Sequence, residues 1–366
     1  MVKLGYLSKH NPLNRSSFSG TSYYMYRAIA ENNGCSVRLL GKHRRPRRFL
    51  GKVYQPASDT ASIAPASFEG LNVVLSLASS SLVPQYASLT DVPIVHCTDA
   101  TPGFLNEFYQ RDIPRDRIEE LFESERRAYD NAQLVLFSSD FMRQYAIAEF
   151  GRSYAPKLEA LPWGANLDDF PESPPPKPPL SPLRLLFIGK QWARKGGHIA
   201  VETLEELRRR GVAAELHLVG VKPGQAPVRD GVIDHGFLNK NIDSQRAMLG
   251  DIMNRSHFLI MPTRADCTPM VVAEANSRAI PVLITNVGGI PSLMQPGRNG
   301  EMLPLGATAS DYADRLMGLS EDRARYDTLS RTSFAHFKDH LTWEAWGDST
   351  ISLLKDRFGA REAASA

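Results

Sequence analysis

Two carboxylates bracket an apolar run in "RADCTPMVVAEA", residues 264–275, with Asp266 and Glu274 eight positions apart. Such a pair can act as acid and base, or as two clamps on one long ligand. It can also be no more than a helix-start acid and a solvated glutamate. The preceding "HFLIMP" reads as a strand, Thr268 as a helix N-cap, Pro269 as the first helical residue and Glu274 as a position inside the helix. At a rise of about 1.5 Å per residue the acids stand up to about 12 Å apart. Paired glycosidase carboxylates stand roughly 5 to 9.5 Å apart, so the acid/base reading is strained. A ligand with hydroxyls at both ends and phosphates between them fits the spacing better.

Phosphates need cations, and "LLFIGKQWARKGGH" supplies them. A strand ends at Gly189, Lys190 and Lys195 follow, and a helix opens through Gly196 and Gly197. Ammonium groups beside free helix-start N–H groups make a site for anionic oxygens. Surface lysines beside a turn are the equal alternative from this stretch alone. In "IDHGFLN", His235, Gly236 and Phe237 end another strand, where a glycine admits a flat ligand to the backbone or simply makes a turn. His96 in "PIVHCTDATPGF" follows a strand and suits hydrogen-bonding or proton-transfer duty, or a structural role. Gly20 in "FSGTS" opens a helix and leaves room for a phosphate or an acceptor. No G-x-x-x-x-G-K-[ST] or strand-linked G-x-G-x-x-G occurs, which weighs against triphosphatase and nicotinamide chemistry.

The elements that must position these groups alternate between short apolar runs and helical patterns, the rhythm of parallel sheets covered by helices. "KLGYL", "SVRLLG", "LNVVLSLA", "VPIVHCT" and "AQLVLFSS" read as strands of a first domain, with helices in "YYMYRAIAENNG", over about 115–131 and in "DFMRQYAIAEFG". "LRLLFIG", "AELHLVG", "GVIDHGF", "HFLIMPT" and "IPVLIT" repeat the pattern in a second, with helices in "GGHIAVETLEELRRRG" and "MVVAEANSRA". Seven prolines in "FPESPPPKPPLSP" separate the two halves as an extended linker. The boundaries expected are residues 1–170 for the first domain, 171–182 for the linker, 183–340 for the second domain, and 341–366 for a terminal helix returning toward the first. Open parallel sheets take ligands at strand carboxyl ends, so a cleft between the domains is the expected site.

The 366 residues, 42% of them hydrophobic, suffice for two such cores. Three isolated cysteines, Cys35, Cys97 and Cys267, form neither a disulfide framework nor a metal motif. With no signal-like start and no apolar run of membrane-spanning length, a cytoplasmic protein is expected. A net charge of +3 does not imply nucleic-acid binding. The local exception is "GKHRRPRRFLGK", where Arg44, Arg45, Arg47 and Arg48 suit an anionic acceptor, lipid headgroups at the inner membrane face, or plain solvation.

Four segments in order resemble the retaining glycosyltransferases of family 4. "PWGANLDDF" is similar to that family's P-x-G-V-D-x-x-x-F segment, and "GKQWARKG" to its G-R-x-x-x-x-K-G phosphate loop with Lys190 for Arg. "DCTPMVVAE" is similar to its E-x7-E signature with Asp266 for the first Glu, and "TNVGGIPSLMQPGRNG" to the glycine-rich segment beyond. The resemblance implies an α/β, GT-B architecture: two Rossmann-like, doubly wound parallel-sheet domains facing a central cleft. It implies transfer of a sugar from a UDP, GDP or ADP donor to a saccharide, lipid-linked or small-molecule acceptor, with retained configuration and no metal or other cofactor.

By that resemblance Glu274 binds the ribose hydroxyls, and Lys190 and Lys195 hold the diphosphate. Asp266, Thr268, Pro269 and Met270 surround the sugar, and His235, Gly236 and Phe237 cradle the base. His96 serves the reacting centre, and Gly20 lets a first-domain loop close on the phosphates. Three residues depart from the family pattern: Asp266 is a methylene shorter than Glu, Ala279 replaces a glycine, and Ser292 replaces an acid. A non-catalytic nucleotide-sugar protein, an inverting transferase and a nucleotide-sugar epimerase of the same build remain rival readings.

Overall fold

The computed structural model describes residues 1–15, 17–45, 47–49, 52–54, 58–109 and 113–359, with backbone alone at 47–49 and 52–54. The chain divides into two compact units. One is Met1–Asn166 together with the segment from Trp343, and the other is Leu167–Thr342.

In the first unit β1 (Val2–Ser8), β2 (Cys35–Leu39), β5 (Val73–Leu77), β6 (Ile94–Thr98), β7 (Leu134–Phe137) and β8 (Leu158–Ala160) form a parallel sheet in the order β2-β1-β5-β6-β7-β8. Every residue of β5, β6 and β7 is buried, as expected where helices cover both faces of a sheet. The covering helices are α1 (Thr21–Ala30), α2 (Leu82–Ala87), α3 (Pro102–Phe104), α4 (Arg115–Asn131) and α5 (Asp140–Phe150). Ser139 caps α5 by accepting from the Met142 amide at 3.3 Å. The basic stretch is not one loop. Within it β3 (Arg47–Phe49) pairs antiparallel with β4 (Lys52–Tyr54).

The second unit repeats the plan. Strands β9 (Leu183–Ile188), β10 (Ala214–Val219), β11 (Val232–Asp234), β12 (Phe258–Met261), β13 (Val282–Thr285) and β14 (Gly300–Leu303) are parallel in the order β11-β10-β9-β12-β13-β14. Helices α6 (Gly197–Arg209), α7 (Asp243–Arg255), α8 (Met270–Asn276), α9 (Ala309–Ser320) and α10 (Arg323–His340) cover it. Leu185, Phe187, Leu204, Leu216, Phe258 and Tyr326 lie in its core. Counted from β9, the strand order is that of a dinucleotide-binding sheet, and it reverses direction between β9 and β12.

The division falls between Asn166 and Leu167, ahead of the expected boundary, and the proline-rich segment belongs wholly to the second unit. That segment is strapped down rather than free. Lys177 Nζ donates to the carbonyls of Ser256 (3.1 Å) and Met253 (3.4 Å) at the end of α7. Arg323 donates to the carbonyls of Lys177 (3.0 Å) and Pro178 (2.9 Å). The last helix, α11 (Trp343–Phe358), begins two residues after the expected start and packs on α1 and β1, and residues 360–366 of that expectation lie outside the described residues.

Candidate functional site

The loops after β9, β12 and β13 meet at Asp266. Gly196, the residue before α6, has φ of 73°, and a Cβ there would stand 2.0 Å from the Pro262 carbonyl oxygen. Only glycine lets the loop after β9 pack so closely on the loop after β12. The Arg264 amide donates to the Arg194 carbonyl (2.7 Å), and the Thr263 hydroxyl reaches the same oxygen at 3.1 Å. From the third loop the Gly289 amide donates to the Asp266 carbonyl at 3.0 Å. Gly288 approaches that carbonyl so closely that a Cβ would sit 2.0 Å away.

The side chains complete the convergence. Lys195 Nζ donates to both Asp266 oxygens, at 2.9 and 2.7 Å, Arg194 lies 3.3 Å from one of them, and Thr263 donates to the other at 3.0 Å. Burial alone would raise the Asp266 carboxyl, but Lys195 and Arg194 outweigh it and hold it below the usual carboxylate range. Two cations on one carboxylate leave the cluster net positive, at the place where the strand order reverses. Such an excess of positive charge at a strand-order reversal favours an anionic oxygen over a neutral one.

The two lysines of the β9 loop therefore separate. Lys195 is turned inward onto Asp266, whereas Lys190 is exposed and stands 4.9 Å over the Phe237 ring, a cation–π arrangement. Phe237 is itself 58% exposed, an open aromatic face beside a cation. Gly236, at φ 64°, has nothing within 4 Å of a Cβ position, and its amide donates to Asp234 Oδ1 at 2.9 Å. His235 stacks in parallel on His217, with Nε2 and Nδ1 3.0 Å apart, so one ring donates to the other. Burial lowers both imidazoles, and for His217 the neighbouring His235 lowers it further.

Helix α8 starts one residue later than the sequence reading placed it. Pro269, extended at ψ 100°, is the N-cap, Thr268 lies outside the helix, and Met270 is the first helical residue. Asp266 is thus in the loop, and a helical rise does not measure its separation from Glu274. Residues Val271–Asn276 are all buried, and Glu274 is the acid among them. Its Oε1 accepts from Lys240 Nζ at 2.5 Å. Ala279, which stands where the family pattern has glycine, is itself in the left-handed region, at φ 55°.

In the first unit Gly20 (φ 99°) ends a left-handed run with Phe18 (50°) and Ser19 (57°). Asn166 Nδ2 donates to the Ser19 carbonyl and to Thr21 Oγ1, each at 3.2 Å, and Trp343 Nε1 donates to Asn166 Oδ1 at 3.0 Å. His96 does not follow its strand but lies inside β6, fully buried, 3.3 Å from Glu125 Oε1 on α4. Arg44 and Arg45 are exposed, while the side chains of Arg47 and Arg48 fall outside the described residues.

Sequence reasoning missed Arg194, Thr263, Lys240, His217 and Glu125. Arg194 stands inside a quoted motif, and Lys240 one place past "HGFLN". Their partners come from other strands, which periodicity does not reveal.

Residues 182–322 match the family described as glycosyl transferases group 1. The chain is 30% identical over 181 residues to the putative colanic acid biosynthesis glycosyltransferase WcaL of Escherichia coli K12, covering 45% of this chain. That alignment spans only 42% of WcaL's length. The fold is similar to sucrose-phosphate synthase from Thermosynechococcus elongatus, with a TM-score of 0.71 at 17% identity over 98% of this chain and 100% of that one. It is also similar to Anabaena HepE in complex with UDP, with a TM-score of 0.65 at 14% identity over 97% and 100%. The matched segment thus resembles a group 1 glycosyltransferase domain, and the shared architecture shows a GT-B fold.

Proposed function

We propose that this chain transfers a sugar from a nucleoside diphosphate to an acceptor hydroxyl, with retained anomeric configuration and without a metal. The observation that carries the reading is the net-positive Lys195, Arg194 and Asp266 cluster where the second sheet reverses its strand order. The donor's diphosphate binds at Lys195 and Lys190, where fixed cations stabilise the charge that develops as the sugar leaves. Asp266 holds Lys195 and Arg194 in place for that task.

Glu274 takes the ribose hydroxyls, and the His235–Phe237 turn takes the base. Thr268, Pro269 and Met270 border the sugar. The anomeric carbon's bond to the phosphate oxygen breaks while its bond to the acceptor oxygen forms on the same face, and the acceptor proton passes to the leaving phosphate. His96 serves the reacting centre, and Gly20 lets a first-domain loop close on the phosphates. Arg44, Arg45, Arg47 and Arg48 meet an anionic acceptor or membrane surface at the cytoplasmic face.

HepE's description in complex with UDP supports UDP as one of the candidate donor nucleotides, beside GDP and ADP. WcaL's name supports a role in polysaccharide assembly, with a saccharide or lipid-linked acceptor. The test incubates the purified chain with UDP-, GDP- and ADP-sugars and a panel of saccharide acceptors, with and without chelator, and reads product configuration by NMR. An α-linked product from an α-linked donor is expected; an inverted product, or sugar isomerisation without acceptor, overturns the mechanism. The complete burial of His96 against Glu125 favours one second reading, a protein that binds the donor without transferring it. Binding without turnover of any donor supports that reading.

A further inference from the structure

We infer that Lys240 is a positioning residue for the donor's ribose, acting through Glu274; this rests on the reading of Glu274 as the ribose clamp. Glu274 is 6% exposed in a helix whose neighbouring residues are apolar or buried, so its charge needs a partner. Lys240 Nζ meets Oε1 at 2.5 Å. A carboxylate that grips a vicinal diol offers one oxygen to each hydroxyl, and the grip depends on the plane of the group. An ammonium fixed on Oε1 sets that plane while the carboxylate keeps lone pairs on both oxygens to accept from the two hydroxyls.

The loop carrying Lys240 is held as a positioning element would be. Arg246 Nη1 donates to the Lys240 carbonyl at 3.0 Å. The Asn239 amide donates to Gln245 Oε1 at 2.6 Å, and the Asn241 amide to Asn239 Oδ1 at 3.0 Å. The ammonium therefore starts from a fixed backbone on one side and ends on a buried helix on the other. The same loop continues the His235–Phe237 turn, so one short segment bears on both the base and the ribose ends of the donor.

The test measures calorimetric binding of UDP, GDP and ADP, and donor kinetics, for wild type, Lys240→Met, Lys240→Arg, Glu274→Gln and the Lys240→Met/Glu274→Gln pair. Lys240→Met is expected to weaken the bound nucleotide tenfold or more and to raise the donor KM with kcat within about threefold, since the ribose contact is made equally before and during transfer. Lys240→Arg is expected to recover most of the affinity, and the double variant to match Glu274→Gln, as coupled groups do. Unchanged affinity in Lys240→Met, tighter binding, additive losses, or loss of kcat alone overturns the inference. Undiminished binding in Glu274→Gln, or none by the wild type, overturns the ribose reading beneath it. Circular dichroism of each variant separates loss of fold from loss of contact.

Discussion

The same place in the two sheets is built from opposite materials. Where β1 and β5 end, the first unit closes with neutral groups: Ser8 Oγ donates to the Leu77 carbonyl (3.3 Å), and Ser79 Oγ accepts from the Lys9 amide (3.0 Å) while donating to Leu77 (2.6 Å). Lys9 points outward, and burial first, then Lys9, lower the His10 imidazole to about 4, which keeps it neutral. Where β9 and β12 end, the second unit gathers Lys195, Arg194 and Asp266. Topology creates a concave strand-end site in both. Under the proposed function, the buried charge assigns the anionic half of the donor to one of them.

The comparison breaks most severely if that charge proves idle. Lys195→Met and Glu274→Ala are each expected to lower kcat/KM by about a hundredfold or more, the scale of losing one preorganised charge contact. Steady-state kinetics with the best donor measures this, and near-normal rates in both variants contradict the site. In the first unit Ser79→Ala is expected to cost about 1 kcal/mol of stability, seen in denaturant melts, with donor KM unchanged.

A second contrast concerns pH. Burial first, with nearby cations adding, lowers His257 to about 4, and its Nδ1 accepts from the Arg184 amide at 2.9 Å. The folded state therefore binds the proton less readily than the unfolded chain. The stability this contributes is complete above about pH 6.5 and is lost as pH falls toward about 4, a change of about 3 kcal/mol. His257→Gln is expected to flatten the fall in Tm between pH 7 and pH 5. An equal fall in the variant contradicts the assignment.

Much of this was legible in the sequence because apolar runs and glycine turns are local. The sequence reading of a helix over about 115–131 coincides with α4, and most strands fall where apolar runs place them. Strands β8 and β14 were not legible, because three or four residues such as "LEA" carry no period. Helices α7, α9 and α10 were passed over for a related reason. In "DSQRAMLGDIMNR" few apolar residues mark the buried face.

At the site, Lys195 was legible as a group for anionic oxygens and Asp266 as a clamp on a ligand's hydroxyls. Their pairing was not, since it depends on which strands become neighbours. The reading of residues 171–182 as an extended linker carries no sign of the hydrogen bonds that Lys177 and Arg323 supply, which composition does not announce.

Two smaller effects sharpen the contrast. Neutralising Arg44 and Arg45 together is expected to raise the acceptor KM severalfold and leave donor binding untouched; unchanged acceptor kinetics removes that role. Ala279→Gly is expected to change stability by under about 1 kcal/mol, because relief at φ 55° is offset by a freer unfolded chain. Ala279→Val is expected to cost more than about 2 kcal/mol at the same position.

The most direct measurement is hydrogen exchange of the intact chain with and without UDP, GDP or ADP. Slowed exchange is expected in residues 189–197, 235–240 and 263–274, with the strand ends at 8–10 and 78–80 unaltered by nucleotide alone. Protection confined to the first unit, or none with any nucleotide, would contradict the account.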